Sequence, residues 1–240
     1  MKKNGKLTLI PTPIDNQSKL NIEAFDLLLA AAKDSENNIF LVEDPKPARR
    51  RWIYFGLPRE TIESFVYFNE QTSKDLISEV IQGVKKGKNA YLMSDAGLPA
   101  FCDPGVNLIN RCHEEKIQVT STPFFNSVAL ALALSGFSHH QFVFHGFVAR
   151  KSGEREKILG KALKNRQTGI LMDTPYRLKN LLETILTCEN QVSEKREYCL
   201  ALDLGKSSEK VLRGTVKNIM KNVPFETKPE FILIIKEVCP

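Results

Sequence analysis

A loop rich in glycine, proline and aspartate holds the residues of this sequence that are best suited to chemistry. Within residues 92–105 an apolar strand runs into this loop, which opens with Ser94, Asp95 and Gly97. Backbone N–H groups at such a strand-to-helix turn, with the Asp95 carboxylate at the strand's carboxyl end, can bind a polar cofactor. The loop therefore predicts a ligand site at the end of a strand.

The same loop contains a helix start signal. Asp103 followed by Pro104 is typical of an N-cap and the first helical position, which predicts a helix over residues 106–115. A second acidic strand end lies earlier in the chain, where Glu43 and Asp44 follow the apolar residues 38–42.

Strands and helices alternate along the chain, and this order must position the acidic loops. Apolar runs predict strands at residues 6–10, 38–42, 89–93, 118–120, 141–144, 168–172, 198–202 and 231–236. Helical spacing predicts helices at residues 22–33, 73–86, 106–115, 128–134, 153–164 and 175–186. The alternation indicates an α/β fold with a largely parallel sheet covered on both faces. With 240 residues we expect two α/β domains, residues 1–122 and 123–240.

The composition favours a protein that approaches polyanions. The formal net charge is +6 and the pI is about 9.0. Basic residues cluster at 46–51, followed by Trp52, Tyr54 and Phe55, and again at 150–166. Arginines beside aromatic rings can neutralise phosphates and stack on bases, but a solvated loop and an outer helix face explain the clusters equally well.

The sequence also excludes several classes of protein. Five scattered cysteines without a Cys-x-x-Cys pair indicate free thiols, and neither a disulfide framework nor a metal site. No apolar run approaches the length of a membrane span, and the N-terminus enters a strand, so we expect a cytoplasmic protein without membrane attachment.

The loop resembles the Ser-Asp-Ala-Gly-x-Pro…Asp-Pro-Gly loop of the tetrapyrrole-methylase superfamily, in particular its branch of ribosomal small-subunit RNA 2′-O-methyltransferases. Other segments resemble elements of that branch in the same order. They are residues 7–16, 40–44, 134–137, 142–147, 169–178 and 228–236. The chain ends soon after the last of them, as in a short form of that branch. Because the similarity covers nearly the whole chain, it is more specific than any one motif.

The resemblance implies two α/β domains with S-adenosylmethionine in the cleft between them, a homodimer, and ribosomal RNA as the substrate. The residues that would bind the cofactor are Ile14, Met93, Ser94, Asp95, Gly97, Leu98, Asn126, Ser127 and Asp173. Glu43 or Asp95 would act as the catalytic base that takes a proton from a ribose hydroxyl.

Several positions depart from the family pattern and leave alternatives open. Phe124 and Phe125 stand where the family has Gly-Pro, and Asp173-Thr174 replaces Glu-Ser. The preferred hypothesis is an RNA 2′-O-methyltransferase. The alternatives are S-adenosylmethionine-dependent methylation of a small molecule such as a tetrapyrrole, and a non-catalytic RNA-binding relative.

Overall fold

The computed structural model describes residues 4–124, 126–190 and 196–238. The chain divides into two compact units, Met1–Phe124 (unit 1) and Phe125–Pro240 (unit 2). Each unit contains its own five-stranded sheet with helices, which confirms the predicted α/β class. In the described part of the chain, no helix combines the length and apolar character needed to cross a membrane.

Unit 1 is a parallel α/β unit. Its elements are β1 (Lys6–Ile10), α1 (Ile22–Ala32), β2 (Asn38–Val42), α2 (Pro45–Phe55), β3 (Phe65–Tyr67), α3 (Ser73–Lys85), β4 (Asn89–Met93), α4 (Val106–Glu114) and β5 (Gln118–Ser121). The strand order is β3-β2-β4-β1-β5, and every pairing is parallel. Parallel strands end at one edge of a sheet, so the loops that follow β1, β2 and β4 lie together.

The two faces of this sheet are covered because successive strand residues point to opposite sides. On one face Phe40 and Tyr91 pack in the same core cluster as Trp52 of α2. On the other face Leu41 and Leu92 pack with residues of α3 and α4. The near-continuous apolar runs of β2 and β4 are explained by this double burial.

Helix α2 was not predicted. Two prolines and three arginines obscure its apolar spacing, but Pro45 occupies the first helical position, where a missing N–H costs nothing. Asp44 caps the helix, since its side chain accepts a hydrogen bond from the backbone N–H of Lys46 (2.9 Å). Gly56 ends the helix in the left-handed conformation.

Unit 2 contains a mixed sheet. Its elements are α5 (Ser127–Ser135), β6 (Phe142–Phe147), α6 (Ser152–Lys164), β7 (Thr168–Asp173), α7 (Leu178–Glu189), β8 (Tyr198–Leu202), β9 (Lys210–Gly214), α8 (Val216–Met220) and β10 (Phe231–Ile235). The strand order is β6-β7-β10-β8-β9, and of these pairs β6 with β7 is parallel while the other three are antiparallel.

The prediction of a largely parallel sheet is therefore correct for unit 1 and wrong for unit 2. The short connection between Leu202 and Lys210 cannot hold the crossover that parallel strands need, so β9 returns antiparallel to β8. The strand predicted at residues 141–144 is longer than expected. It continues to Phe147 as β6, and its register with β7 shifts between Phe144 and Gly146.

The apolar residues 128–134 form a helix, as predicted. The Asn126 side chain caps α5 by accepting hydrogen bonds from the N–H groups of Val128 (2.9 Å) and Ala129 (3.1 Å). Gly136 ends the helix with φ 64°. The predicted Asp103 cap of α4 is wrong, because Gly105 holds the N-cap position and no side chain caps this helix.

We expect Gly105→Ala to destabilise unit 1. Gly105 has φ +138°, and a Cβ there would lie 2.7 Å from Cδ2 of Leu92. Strain of this kind costs on the order of 1–3 kcal/mol. Trp52 is the single tryptophan and is fully buried in unit 1, so its fluorescence in a denaturant titration reports this loss. Gly160→Ala, in a helix of unit 2 with open space around the added methyl, is the matched control and should not lower the midpoint.

Candidate active site

Reciprocal backbone hydrogen bonds join the loops that follow β1 and β4. The N–H of Thr12 donates to the carbonyl oxygen of Gly97 (2.9 Å), and the N–H of Gly97 donates to that of Thr12 (3.0 Å). The Thr12 hydroxyl donates to the Ser94 carbonyl oxygen (3.2 Å), while the Ser94 hydroxyl donates to that of Gly97 (2.9 Å). These bonds fix the position of Asp95, which lies between Ser94 and Gly97.

A buried arginine holds the loop after β1 in place. Arg51 lies on the inner face of α2 and is 6% exposed. Its guanidinium donates to the carbonyl oxygens of Pro13 (2.6 Å) and Asp15 (3.2 Å), and to Oδ1 of Asn16 (3.3 Å). Ile14, one of the predicted cofactor residues, is thereby held between two anchored neighbours.

Asp95 is a half-buried carboxylate with an unpaired oxygen. Its Oδ1 is buried and has no hydrogen-bond partner among the described residues. Burial, followed by the negative charge of Glu43, raises the pKa of Asp95 to about 6, although the Asp44 backbone N–H and Arg51 counteract this rise. The atom is therefore suited to accept a hydrogen bond from a ligand.

Asp103 is a third acid that interacts electrostatically with Glu43 and Asp95, although the sequence indicated only a capping role for it. Burial raises the pKa of Asp103 to about 7, with further contributions from the charges of Glu43 and Asp95. Glu43, Asp95 and Asp103 thus form an electrostatically coupled group, which we call the acidic group. With pKa values of about 6 and about 7, Asp95 and Asp103 can both accept and release protons at the pH of the cell.

The segment that delivers Asp103 has an unusual backbone. Between the positive-φ glycines Gly97 and Gly105, two non-glycine residues also have positive φ, Ala100 at 62° and Cys102 at 65°. Such conformations cost energy and are concentrated at ligand-binding and catalytic sites. The glycines and prolines of this segment correctly predict an irregular loop. The Asp103-Pro104 pair incorrectly predicts a helix cap within it.

The other predicted residues of unit 1 differ in accessibility. Met93 is 4% exposed and packs in the core under the loop, and Ser94 is 6% exposed. Leu98 and Ile14 are partly exposed, so their side chains can reach a ligand. The structure therefore brings the predicted residues of unit 1 to one edge of the sheet, with a structural role evident for Met93 and Ser94.

Three predicted cofactor residues belong to unit 2. Asn126 caps α5 and Ser127 is the first residue of that helix. Asp173 ends β7 with its side chain completely buried, where it forms an ion pair with Arg177 and accepts a hydrogen bond from the N–H of Thr174 (2.7 Å). Oδ2 of Asp173 has no partner among the described residues, so a role in binding stays a prediction.

The basic and aromatic cluster at residues 46–55 is divided between the core and the surface. Trp52 is fully buried and donates its indole N–H to the carbonyl oxygen of Pro58 (2.7 Å), and Phe55 is 6% exposed. The suggestion that these two rings stack on bases is wrong. In the second cluster, Arg155 is 7% exposed. The spacing of Ala48, Arg51, Trp52 and Phe55 is the helical signal that could have revealed the buried face.

Two remaining expectations concern metal binding and the phenylalanines that replace Gly-Pro of the family pattern. Among residues 4–124, 126–190 and 196–238, no group of three His, Cys, Asp or Glu side chains could hold a metal ion. Cys102, Cys112, Cys188 and Cys199 are free thiols, while Cys239 lies outside the described residues. Phe124 is partly buried, and Phe125 lies outside the described residues.

Comparison with known proteins identifies related sequences over most of the chain. The family model described as Tetrapyrrole (Corrin/Porphyrin) Methylases matches residues 6–220. The Ribosomal RNA small subunit methyltransferase I of Thermotoga maritima is 32% identical over 224 residues, which cover 93% of each chain. The protein of the same name from Mesomycoplasma conjunctivae is 32% identical over 231 residues, covering 96% of this chain and 91% of the relative.

A solved structure supports the same fold. A diphthine synthase matches with a TM-score of 0.64 and 12% identity, and the match covers 97% of this chain and 90% of the other. At this identity the likeness concerns the fold alone.

We expect Asp103→Asn to stabilise unit 1 more at pH 8 than at pH 5. The folded Asp103 carboxyl keeps its proton up to about pH 7, while the unfolded one loses it near the ordinary value of 3.8. The protonated Asp103 carboxyl therefore adds to the free energy of unfolding at low pH, and this contribution is lost as the pH rises toward 7. An asparagine amide does not ionise, so the variant avoids that loss. The midpoint of thermal unfolding should rise by about 2–4 °C more at pH 8 than at pH 5, as about 1 kcal/mol produces in a chain of this size.

Trp52 fluorescence measures this transition. Asp26→Asn, which changes an exposed carboxylate on α1, is the matched control. Equal shifts for Asp103→Asn at the two pH values would contradict the raised pKa.

Proposed function

This chain belongs to the tetrapyrrole (corrin/porphyrin) methylase family, and we propose that it transfers a methyl group to a ribose 2′-hydroxyl of ribosomal small-subunit RNA. It is a methyltransferase, and its cofactor is S-adenosylmethionine. The observation that carries the proposed substrate is the 32% identity to the Thermotoga maritima relative over 93% of both chains, because that relative is named for small-subunit ribosomal RNA.

The edge of the unit 1 sheet fits the cofactor's polar groups. S-adenosylmethionine supplies an electrophilic methyl group on a sulfonium sulfur, and its hydroxyl and ammonium groups are hydrogen-bond donors. The buried and unpartnered Oδ1 of Asp95 is a matching acceptor. Ile14, Gly97 and Leu98, on the two paired loops, would contact the cofactor beside it. We propose Asn126, Ser127 and Asp173 as the contributions of unit 2.

We assign the proton transfer to Asp103. A ribose hydroxyl must lose its proton as its oxygen bonds to the methyl carbon and the bond from that carbon to the sulfonium sulfur breaks. A nearby carboxylate with a pKa near neutrality can accept that proton. Asp103, with a pKa of about 7, has this property. The charge of Glu43 is the largest neighbouring charge effect on the pKa values of both Asp95 and Asp103. Glu43 therefore tunes the other two acids in this proposal and is a second candidate for the base.

The remaining assignments concern location and assembly. We propose that the enzyme works in the cytoplasm as a homodimer. The resemblance of its sequence to the tetrapyrrole methylases supports the dimer, and an RNA substrate supports the location. Light scattering of the purified chain measures the assembly, and a monomer at micromolar concentration would contradict it.

Mapping of ribosomal RNA tests the proposed function. Small-subunit RNA from cells that lack the gene should lose one 2′-O-methyl group, detectable by mass spectrometry of nuclease fragments. The wild-type gene should restore the group, and a gene encoding Asp103→Asn should not. If every 2′-O-methyl group persists without the gene, small-subunit ribosomal RNA is not the substrate. Methylation of a small molecule by the purified protein would then favour the second hypothesis, and its absence would favour a non-catalytic RNA-binding relative.

Two substitutions should separate the roles within the acidic group. Asp95→Asn should weaken S-adenosylmethionine binding about 10- to 100-fold in calorimetry, because a hydrogen bond to a charged group is worth about 1.5–3 kcal/mol. Asp103→Asn should leave that affinity unchanged and lower kcat by about 10²- to 10⁴-fold.

The pH profile provides the more specific readout. Wild-type kcat should fall below about pH 7 as Asp103 is protonated, and this acid limb should disappear from the residual activity of Asp103→Asn. Asp103→Glu, which keeps the carboxylate, should recover part of the rate. An unchanged acid limb in Asp103→Asn would assign the base to another group, with Glu43 the next to test.

A further inference from the structure

Helix α2 presents two chemically different faces. Its inner face is buried and consists of Ala48, Arg51, Trp52 and Phe55. Its opposite side exposes Lys46, Arg49 and Arg50, which we call the basic face. Because these three residues recur at helical spacing, their positive charges lie along one side of the helix.

The basic face has no ion-pair partner in the part of the chain that the structure describes. Among the described residues, no carboxylate forms an ion pair with Lys46, Arg49 or Arg50. Elsewhere in unit 1, Lys85 and Arg111 both pair with Glu115. The basic face is therefore available to an external polyanion.

The helix that carries the basic face starts next to a member of the acidic group. Glu43 is separated from Pro45, the first residue of α2, by the cap residue Asp44 alone. Arg50 lies six residues beyond Asp44, or about 9 Å along the helix axis. The Arg50 Nη2 also donates a hydrogen bond to Oδ1 of Asn16 (3.5 Å), on the loop after β1. The positive charges thus line the approach to the edge of the sheet that holds Asp95.

The aromatic residues of α2 offer no open ring for base stacking. Trp52 and Phe55 are buried, and Nζ of Lys19 lies 3.7 Å from the ring centroid of Tyr54. Tyr54 also donates its hydroxyl to the carbonyl oxygen of Gln17. A polyanion bound here would be held through its phosphates, without selection among bases.

We infer that the basic face of α2 binds the phosphate backbone of the RNA substrate and leads it to the acidic group. This inference rests on the proposed function, since it assumes an RNA substrate. Lys46, Arg49 and Arg50 each neutralise about one phosphate of a single-stranded segment. Base identity is read elsewhere on the protein.

The salt dependence of RNA binding tests this inference. The test variant is Lys46→Gln/Arg49→Gln/Arg50→Gln, and the probe is a transcript of small-subunit ribosomal RNA titrated between about 50 and 200 mM salt. Removing three phosphate contacts should reduce the slope of log affinity against log salt by about 2 and weaken binding at low salt about tenfold or more.

The matched control is Lys33→Gln/Arg59→Gln/Lys86→Gln. These exposed residues precede β2, β3 and β4, at the opposite edge of the same sheet. The control removes the same charge but should keep the wild-type slope to within about 0.5, less than one phosphate contact. A charge-preserving variant, Lys46→Arg/Arg49→Lys/Arg50→Lys, should also keep it.

The outcomes distinguish this inference from the proposed function. If wild-type protein binds S-adenosylmethionine but no RNA, the proposed RNA substrate is wrong. If the test variant binds RNA with the wild-type slope, the basic face is not a phosphate site and the proposed function stands. Calorimetry with S-adenosylmethionine and Trp52 fluorescence should be unchanged in the test variant. Were the triple variant to unfold, each single Gln substitution should still reduce the slope by about 0.7.

Discussion

The paired loops after β1 and β4 are the constraint on which the site depends. Thr12 and Gly97 exchange two backbone hydrogen bonds, and this exchange is possible because β1 and β4 are neighbouring parallel strands. Gly97 has φ 91°, a conformation that favours glycine. Without the pairing, Asp95 would be at the tip of a free loop. With it, the carboxylate is held in a half-buried position where its pKa responds to neighbouring charges.

Positive and negative side chains have opposite effects on Asp95 at this edge of the unit 1 sheet. Arg51 is buried, anchors the loop after β1 and lowers the pKa of Asp95, while burial and Glu43 raise it. The arginine thus performs a structural and an electrostatic task from one position on α2. On the outer side of the same helix, the described residues give Arg49 and Arg50 no ion pair, so adjacent arginines have different roles: Arg51 stabilises the protein, while Arg49 and Arg50 are available to a partner.

The sequence predicts correctly those features that depend on residues close together in the chain. The helix at residues 128–134, the buried strands of unit 1 and the acidic strand ends at Glu43 and Asp95 all follow from residue type and spacing. It was insufficient where distant packing decides. The antiparallel return of β9 depends on pairing with β8, and the burial of Arg51 depends on carbonyl oxygens of a loop some 36 residues away. Asp103 was read as a cap because Asp-Pro is a local helix start signal, whereas its electrostatic neighbours are separated from it in sequence: Glu43 lies on the loop after β2, and Asp95 lies at the start of the loop that contains Asp103.

Coupled acids and a strained loop both reduce stability, and they occur together in unit 1. Ala100 and Cys102 adopt positive φ within the segment that brings Asp103 toward Asp95. A chain selected only for stability would separate like charges and relax this backbone. Both costs are offset if the segment must hold a donor-rich cofactor beside a group that accepts a proton, because a preorganised site does not have to rearrange during the reaction. The energetic cost at this loop is therefore itself an argument that the acidic group is a site of chemistry.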